Sequence, residues 1–367
     1  MKTNKFICLL FLIIIILITN ACNTNKPEIS FVESSFPLKQ KWGFDTGKRI
    51  NSLAVSNHWV VLGTIDGIVA LDSNTGQLLW TSDYLVDPES PIIITEEYLI
   101  ASNSKQISMV SDIGQHLLTI DLSSNQEDAE VISSYSNYIF ILRRPSWILE
   151  AYNLVDGSRV WDLSVGPGGL DINFDTLTRI VYITTMESVR ALEISSGKLL
   201  WEFSQKVITS TYNSGILYFV AETDNPDIKT INAYDVINQK TIWATTFHPK
   251  IQTTIFDLSG LDNMLLLSTD FGIISIDIDT GRQLWSSEDR DKVIVSPVEI
   301  DGTIYFKGTN SKTIYALSRG NGNTIGNLRL ENPSFKNNNI EALSGVKKSG
   351  NLLIFVASDI VFAYERK

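Results

Sequence analysis

The distribution of apolar and polar residues along the chain predicts short β-strands. From about residue 40 onward, apolar residues come in short or alternating runs, separated by polar turns that carry Gly or Asn. Residues 304–306 (Ile-Tyr-Phe) and 313–317 (Thr-Ile-Tyr-Ala-Leu) are typical of these runs. Alternation with a period of two fits a strand, and no segment keeps a helical period for ten residues. The pattern therefore favours an all-β fold.

One unit of about forty residues recurs along the chain. Its clearest copy is residues 69–80, in which a small residue is followed by a turn with Gly and, four residues later, by Trp. The small residue is Ala70, Ala151, Ala191, Ala233, Ser275 or Ala316. The turn position holds Gly76, Gly114, Gly157, Gly197, Gln239, Gly281 or Gly322. The Trp position holds Trp80, Leu118, Trp161, Trp201, Trp243, Trp285 or Gly326, at steps of 38, 43, 40, 42, 42 and 41 residues.

The two ends of the repeat array complete each other. Residues 361–364 (Val-Phe-Ala-Tyr) match the strand before the turn, and the chain stops soon afterwards. Residues 41–44 supply a strand with Trp42 and no turn before it. Four strands in forty residues are the content of one propeller blade. We therefore predict an eight-bladed β-propeller over residues 40–367, closed by pairing of the strand around Trp42 with the strand around Ala363.

The N-terminus predicts export and lipid attachment. Lys2 and Lys5 precede thirteen apolar residues (6–18), a length typical of a signal peptide and too short to span a bilayer as a helix. Cys22 follows Ala21 directly, and the pattern resembles a bacterial lipobox, although Thr19 stands where a Leu-like residue is usual. We predict a signal peptide over 1–21, lipidation of Cys22 and a polar tether over 22–39. The alternative is ordinary signal cleavage with an incidental Cys22.

The repeat resembles a known family. Residues 70–80 read Ala-Leu-Asp-x-x-Thr-Gly-x-x-x-Trp, and residues 191–201 and 276–285 are similar. This string resembles the pyrroloquinoline-quinone-like propeller repeat, which implies that the repeated Trp packs between neighbouring blades. Two branches are similar: the quinoprotein dehydrogenases, which bind the quinone and Ca²⁺ in the central channel, and the BamB-type lipoproteins of outer-membrane β-barrel assembly. Signal, length and single-domain organisation favour the second branch.

Composition narrows the possible functions. Without residues 1–21 the chain carries 28 basic and 41 acidic side chains, a formal charge of −13, which disfavours binding to nucleic acids or to anionic lipid surfaces. Cys8 and Cys22 are the only cysteines, so the mature chain has no cysteine pair for an intrachain disulfide or for a metal site. The resemblance implies a vicinal disulfide against the quinone in the alcohol dehydrogenases, and this chain lacks it.

Candidate site residues are few. A Trp repeated in every unit is a structural residue, because it cannot mark one site; these are Trp42, Trp80, Trp161, Trp201, Trp243 and Trp285. We predict no catalytic, cofactor-binding or metal-binding residues. The loop at 143–147 carries Arg143, Arg144 and Trp147, a composition typical of protein contacts. The alternative is a Trp folded onto its own blade beside solvated arginines.

The sequence thus favours a monomeric, lipid-anchored scaffold outside the cytoplasmic membrane, facing the periplasm if the cell has an outer membrane. We expect its partner to be a protein of the cell envelope, its only membrane contact to be the lipid, and no cofactor. A dehydrogenase that uses pyrroloquinoline quinone with Ca²⁺ is the alternative function. A sensor or sugar-binding lipoprotein on the same fold is a third.

Overall fold

The computed structural model describes residues 30–86, 91–95, 97–103, 105–122, 127–225, 228–247, 254–287, 291–293, 295–308, 313–331, 345–357 and 359–367. These residues form strands, turns and loops. None of them belongs to a helix with the length and apolar character that a membrane crossing needs. The predicted signal peptide over 1–21 and the predicted lipid site at Cys22 lie outside the described residues.

Thirty-three strands are found in the described ranges, in the following order. They are β1 (Ser30–Ser34), β2 (Leu38–Asp45), β3 (Ile50–Val55), β4 (Trp59–Thr64), β5 (Gly67–Asp72), β6 (Leu78–Ser82), β7 (Ile93–Ile94), β8 (Tyr98–Ser102), β9 (Gln106–Ser111), β10 (His116–Asp121), β11 (Asp128–Tyr135), β12 (Tyr138–Arg144), β13 (Ile148–Asn153), β14 (Arg159–Ser164), β15 (Leu170–Asp175), β16 (Ile180–Thr185), β17 (Ser188–Glu193), β18 (Leu199–Ser204), β19 (Val207–Asn213), β20 (Ile216–Glu222), β21 (Lys229–Asp235), β22 (Lys240–Phe247), β23 (Ile255–Leu261), β24 (Met264–Thr269), β25 (Gly272–Asp277), β26 (Gln283–Ser286), β27 (Val298–Ile300), β28 (Thr303–Lys307), β29 (Thr313–Ser318), β30 (Thr324–Glu331), β31 (Val346–Ser349), β32 (Leu352–Ala357) and β33 (Ile360–Arg366).

The strands form eight antiparallel blades, which confirms the predicted eight-bladed propeller. Blades 1 to 6 are the consecutive groups of four strands from β3–β6 to β23–β26, blade 7 is β27–β30 with β1 as a fifth strand, and blade 8 is β31–β33 with β2. The first strands of neighbouring blades contact one another, for example β19 and β23, so they surround the axis of the ring. The second strands form the core: all six residues of β4, β24 and β32 are buried. The fourth strands lie at the rim and are mostly exposed.

Blade 8 closes the ring as the repeat predicts. The N-terminal β2 pairs with the C-terminal β33, and Trp42 lies directly opposite Ala363. The same pairing of a Trp with a small residue recurs in five other blades, at Ala70–Trp80, Ala151–Trp161, Ala191–Trp201, Ala233–Trp243 and Ser275–Trp285. A small residue opposite the indole leaves room for it, and closure removes the two sheet edges that an open array would expose.

Most of the repeated Trp rings fill the space between blades. The indole of Trp161 lies on the turn of the next blade: its Nε1–H donates to the carbonyl oxygen of Ile194 at 2.8 Å. A Cβ on Gly197 in that turn would lie 2.6 Å from Cγ of Trp161, and Gly197 has φ of 67°. Glycine is thus required by both the backbone conformation and the ring. The same contact recurs in Trp42–Gly76, Trp80–Gly114, Trp243–Gly281 and Trp285–Gly322.

Two blades lack the repeated Trp. Leu118 replaces Trp in blade 2 and stands 3.6 Å from where a Cβ on Gly157 would lie. In blade 7, a Cβ on Gly326 would lie 2.5 Å from the carbonyl oxygen of Ser35, because the chain passes there from β1 to β2. The predicted tether over 22–39 is therefore wrong from residue 30 onward: β1 pairs with β30, and Phe36 and Leu38 are buried in the core. Apolar side chains at 36 and 38 bury surface that a solvated tether would expose.

Candidate functional site

The two sides of the ring carry different connections. In each complete blade the turns that join the first to the second strand and the third to the fourth lie on one side, which we call the turn face. The connections from the second to the third strand and from blade to blade lie on the other side, the loop face. Residues 145–147 join β12 to β13 and so belong to the loop face of blade 3.

Arg143 lies inside blade 3, which corrects its prediction as a partner contact. Only 2% of the residue is exposed, and its Nε–H donates to Oε2 of Glu150 at 2.8 Å. Its Nη1 donates to the carbonyl oxygen of Leu122 at 3.1 Å. Glu150 also accepts from Arg159 at 2.9 Å and from the hydroxyl of Tyr152 at 3.1 Å. Burial opposes ionisation of Glu150, but the hydrogen bonds from Arg143 and Arg159 hold its pKa below the usual range.

Arg144 and Trp147 remain at the surface of the loop. The guanidinium of Arg144 lies 5.2 Å from the ring centroid of Trp147, within cation–π range, and pairs with Glu130 at 2.8 Å. Trp147 is half-buried and packs partly against the core of blades 3 and 4. Its φ of 54° is unusual for a bulky residue, and its carbonyl oxygen accepts the N–H of Val165 at 2.9 Å. The loop thus presents one aromatic–cation pair, and both of its arginines pair with carboxylates.

A cavity of about 400 Å³ lies on the turn face between blades 3 and 4. Its lining includes Tyr135, Asn137 and Tyr138 from the first turn of blade 3, with Asn153 from the second. Blade 4 contributes Arg179 and, in its second turn, Ser195. The hydroxyl of Tyr135 donates across the blade boundary to the carbonyl oxygen of Thr176 at 3.4 Å. The ring of Tyr135 stacks on Phe174 of blade 4, with centroids 5.0 Å apart and planes 14° apart.

Side-chain hydrogen bonds fix the turn that carries Arg179. Asp175 accepts the N–H groups of Leu177 at 2.9 Å and Thr178 at 3.3 Å, as Asp does in turns. Burial raises the pKa of Asp175, but these bonds and those from the Thr178 and Tyr212 side chains outweigh it and keep the pKa low. Arg179 has φ of 58°, and its carbonyl oxygen accepts the N–H of Ile194 at 3.1 Å. The turn is therefore held from both ends.

Charged residues also lie on the first strands of the blades, around the axis of the ring. Asp171 on β15 accepts the N–H of Ser210 on β19 at 2.6 Å. Burial raises the pKa of Asp171 and, together with the nearby charge of Asp171, that of Asp257 on β23. Desolvation lowers the pKa of the Lys347 ammonium group on β31, and the nearby charge of Asp257 opposes this shift. Within the described ranges, no three His, Cys, Asp or Glu side chains are grouped so that they could hold a metal ion.

Sequence reasoning missed the cavity on the turn face. Its lining comes from turns that the repeat makes similar in every blade, so no single motif marks it. A weak signal exists in two turns beside it: Val155 and Leu177 are apolar where turns are usually polar, and they are 72% and 93% exposed. Recognising the site needs the contact between blades 3 and 4, which only the folded ring provides.

Comparisons with known proteins agree with this architecture. Residues 185–365, just under half of the chain, match the family model described as outer membrane protein assembly factor BamB. The crystal structure of BamB from Moraxella catarrhalis is similar in fold, with a TM-score of 0.67 and 14% identity, over 89% of this chain and 99% of that one. A crystal structure of a computationally designed protein is similar too, with a TM-score of 0.66 and 16% identity, over 88% of this chain and 97% of that one. No curated protein matches in sequence.

Proposed function

We propose that this chain, a β-propeller of pyrroloquinoline-quinone-like repeats that resembles BamB, is a lipid-anchored scaffold that binds a protein partner in the cell envelope. The match of residues 185–365 to the model of an outer-membrane assembly factor carries the proposal. It favours an extracytoplasmic protein that takes part in outer-membrane assembly through protein contacts, with no chemistry of its own. The structural likeness supports the fold on which such a scaffold would be built.

The loop face of blade 3 offers the contact for that partner. Arg144 is 47% exposed and lies against the half-buried ring of Trp147. The hydrogen bond from Val165 to the carbonyl oxygen of Trp147 and the ion pair of Arg144 with Glu130 fix these two residues before binding, so little conformational entropy is lost when a partner covers them. Arg and Trp are the residue types that most often dominate binding energy in protein interfaces. Arg144 and Trp147 are therefore the proposed contacts, whereas Arg143 lies inside the blade and pairs with Glu150.

The path of β1 relates the proposed anchor to this face. Ser30 pairs with Glu331, at the end of β30 from which the chain leaves blade 7 on the loop face. Eight residue steps separate Cys22 from Ser30. An extended chain covers at most about 3.5 Å per residue, so a lipid on Cys22 would hold this edge within ~28 Å of the membrane. The anchor would thus keep the loop face on the membrane side.

Two experiments test the proposal. The first is affinity capture from the native envelope with wild type and with the double variant Arg144→Glu, Trp147→Ala. The wild type should retain one main partner that the double variant loses, whereas Arg282→Glu, an exposed arginine in a turn of blade 6, should retain it. Circular dichroism of each variant checks that the propeller persists. Equal capture by the wild type and both variants would remove the loop of blade 3 from the interface.

The second experiment tests the anchor and the absence of redox chemistry. Cys22→Ser should abolish incorporation of labelled palmitate and release the protein from membranes, and equal labelling of the variant would refute lipidation at Cys22. Purified protein mixed with pyrroloquinoline quinone and Ca²⁺ should show no saturable binding and no dye reduction with alcohols or sugars. Micromolar binding with turnover would establish the dehydrogenase alternative.

A further inference from the structure

The cavity between blades 3 and 4 is built on a side of the ring that the proposed scaffold contact does not use. It lies on the turn face, whereas Arg144 and Trp147 lie on the loop face. Both of its walls are fixed: Tyr135 joins the blades by stacking on Phe174 and by its bond to Thr176. A cavity whose walls are set before binding loses little entropy when it is filled.

Arg179 gives the cavity its charge. Arg179 is the one positively charged side chain among the described residues that line the cavity. None of these residues is acidic. The carboxylates in the adjoining turns already accept hydrogen bonds. Asp175 accepts from Leu177 and Thr178, Asp156 accepts from Ser158 at 2.9 Å, and Glu193 accepts from the hydroxyl of Ser196. In the described part of the chain, no carboxylate pairs with the exposed guanidinium of Arg179.

The other lining groups can bind a polar chain. Asn153 uses its Oδ1 to accept the N–H of Val155 at 2.9 Å, which leaves its Nδ2 protons available, and Asn137 and Ser195 are exposed side chains. Amide and hydroxyl groups of this kind bind the N–H and C=O groups of an incoming backbone. An arginine fork is matched to a carboxylate.

Exposed apolar side chains flank the cavity on both sides. Val155 follows the lining residue Asn153 in blade 3, and Leu177 lies between the lining residues Thr176 and Arg179 in blade 4. With exposures of 72% and 93%, they are two of the three most exposed large apolar side chains among the described residues. Apolar groups around a polar pocket mark a surface that a second molecule covers, and a polypeptide covers both sides at once where a small sugar acid does not.

We propose that this cavity is a second docking site, which takes a polypeptide segment with an Asp or Glu next to an apolar residue. The carboxylate pairs with Arg179, the backbone of the segment bonds to Asn137 and Asn153, and the apolar residue covers Leu177. The site is independent of the proposed contact on the loop face, so one ring holds two protein segments on opposite sides.

A phage-displayed library of random dodecapeptides, selected on the purified propeller, tests the proposal. Enriched peptides should place Asp or Glu beside an apolar residue. A synthetic peptide of the enriched sequence, measured by calorimetry, should bind about tenfold or more weakly to Arg179→Ala, because a charge-assisted hydrogen bond is lost. Binding to Leu177→Ser should also weaken. The matched control Arg282→Ala, an exposed arginine in a turn of blade 6 on the same face, should bind as wild type does.

Three results would overturn the proposal. They are enrichment of peptides without acidic residues, equal binding to wild type and Arg179→Ala, and displacement of the peptide by galacturonate at the peptide's own affinity. The last would assign the cavity to small sugar acids. The double variant Arg144→Glu, Trp147→Ala should keep peptide binding, so loss of the envelope partner and loss of this site are separate outcomes.

Discussion

The contact between each turn glycine and the Trp of the preceding blade allows a matched test of how blades are held together. Gly197 and Gly157 occupy the same turn position in neighbouring blades, with φ of 67° and 73°. A Cβ on Gly197 would lie 2.6 Å from Cγ of Trp161, whereas the nearest atoms to a Cβ on Gly157 are side-chain carbons of Ile120 and Leu118 at 3.6 Å. The two glycines therefore share the backbone requirement and differ in the space that the preceding blade leaves.

We expect Gly157→Ala to cost ~1–2 kcal/mol, the cost of a left-handed conformation for a residue with a Cβ. Gly197→Ala should cost ~2–5 kcal/mol, because the indole of Trp161 must also shift, and overpacking adds ~1–3 kcal/mol. A double-mutant cycle separates the two parts. In the Trp161→Leu background, Gly197→Ala should cost only the backbone part, ~1–2 kcal/mol, because Leu118 stands opposite Gly157 in the same arrangement.

Urea unfolding followed by tryptophan fluorescence and by far-ultraviolet circular dichroism measures both variants. The comparison is valid where the two probes coincide and the dependence on urea is unchanged, since the shift in midpoint then reports stability. Equal losses for Gly157→Ala and Gly197→Ala would mean that the backbone alone requires glycine, and the interlock between Trp and turn would be refuted.

Three further predictions follow from the same contacts. Arg143→Met should lower the free energy of unfolding in urea by ~3–5 kcal/mol, towards the lower end because Arg159 still pairs with Glu150. Adding Glu150→Leu should recover part of that stability, and no recovery would contradict a buried ion pair. Because the pKa of Glu150 is lowered in the folded state, ionisation of this carboxyl stabilises the protein above its unfolded pKa of ~4.3, and this stability is lost as the pH falls further. Glu150→Gln should therefore make the urea midpoint decline less steeply below pH ~4. An unchanged decline would refute this. Gly326→Trp should displace the chain at Ser35 and make residues 30–36 sensitive to limited proteolysis, with wild type and Gly320→Ala resistant.

The repeat spacing in the sequence determined the fold, and the reason is physical. A propeller blade contacts chiefly its two neighbours, so strand alternation, turn glycines and a Trp at steady steps encode nearly all of its packing locally. The split repeat even predicted the closing pair, Trp42 opposite Ala363. Signal peptide, Cys22 and partner stay predictions from the sequence.

The tertiary structure alone decided the features outside that local code. Residues 30–34 carry no repeat pattern, and they become a strand because the open edge of blade 7 pairs with them across some 300 residues of chain. In the sequence, only the Gly at position 326, where the repeat has Trp, indicated that this edge of blade 7 differs. Arg143 and Arg144 are adjacent residues of the same type, so the sequence does not distinguish them. They differ in burial because alternate residues of β12 point to opposite sides of the blade, and Arg143 pairs with Glu150 in the core. The cavity at Arg179 exists only where blades 3 and 4 meet. Burial, charge pairing and cavities depend on which distant surfaces come together, and that information belongs to the closed ring.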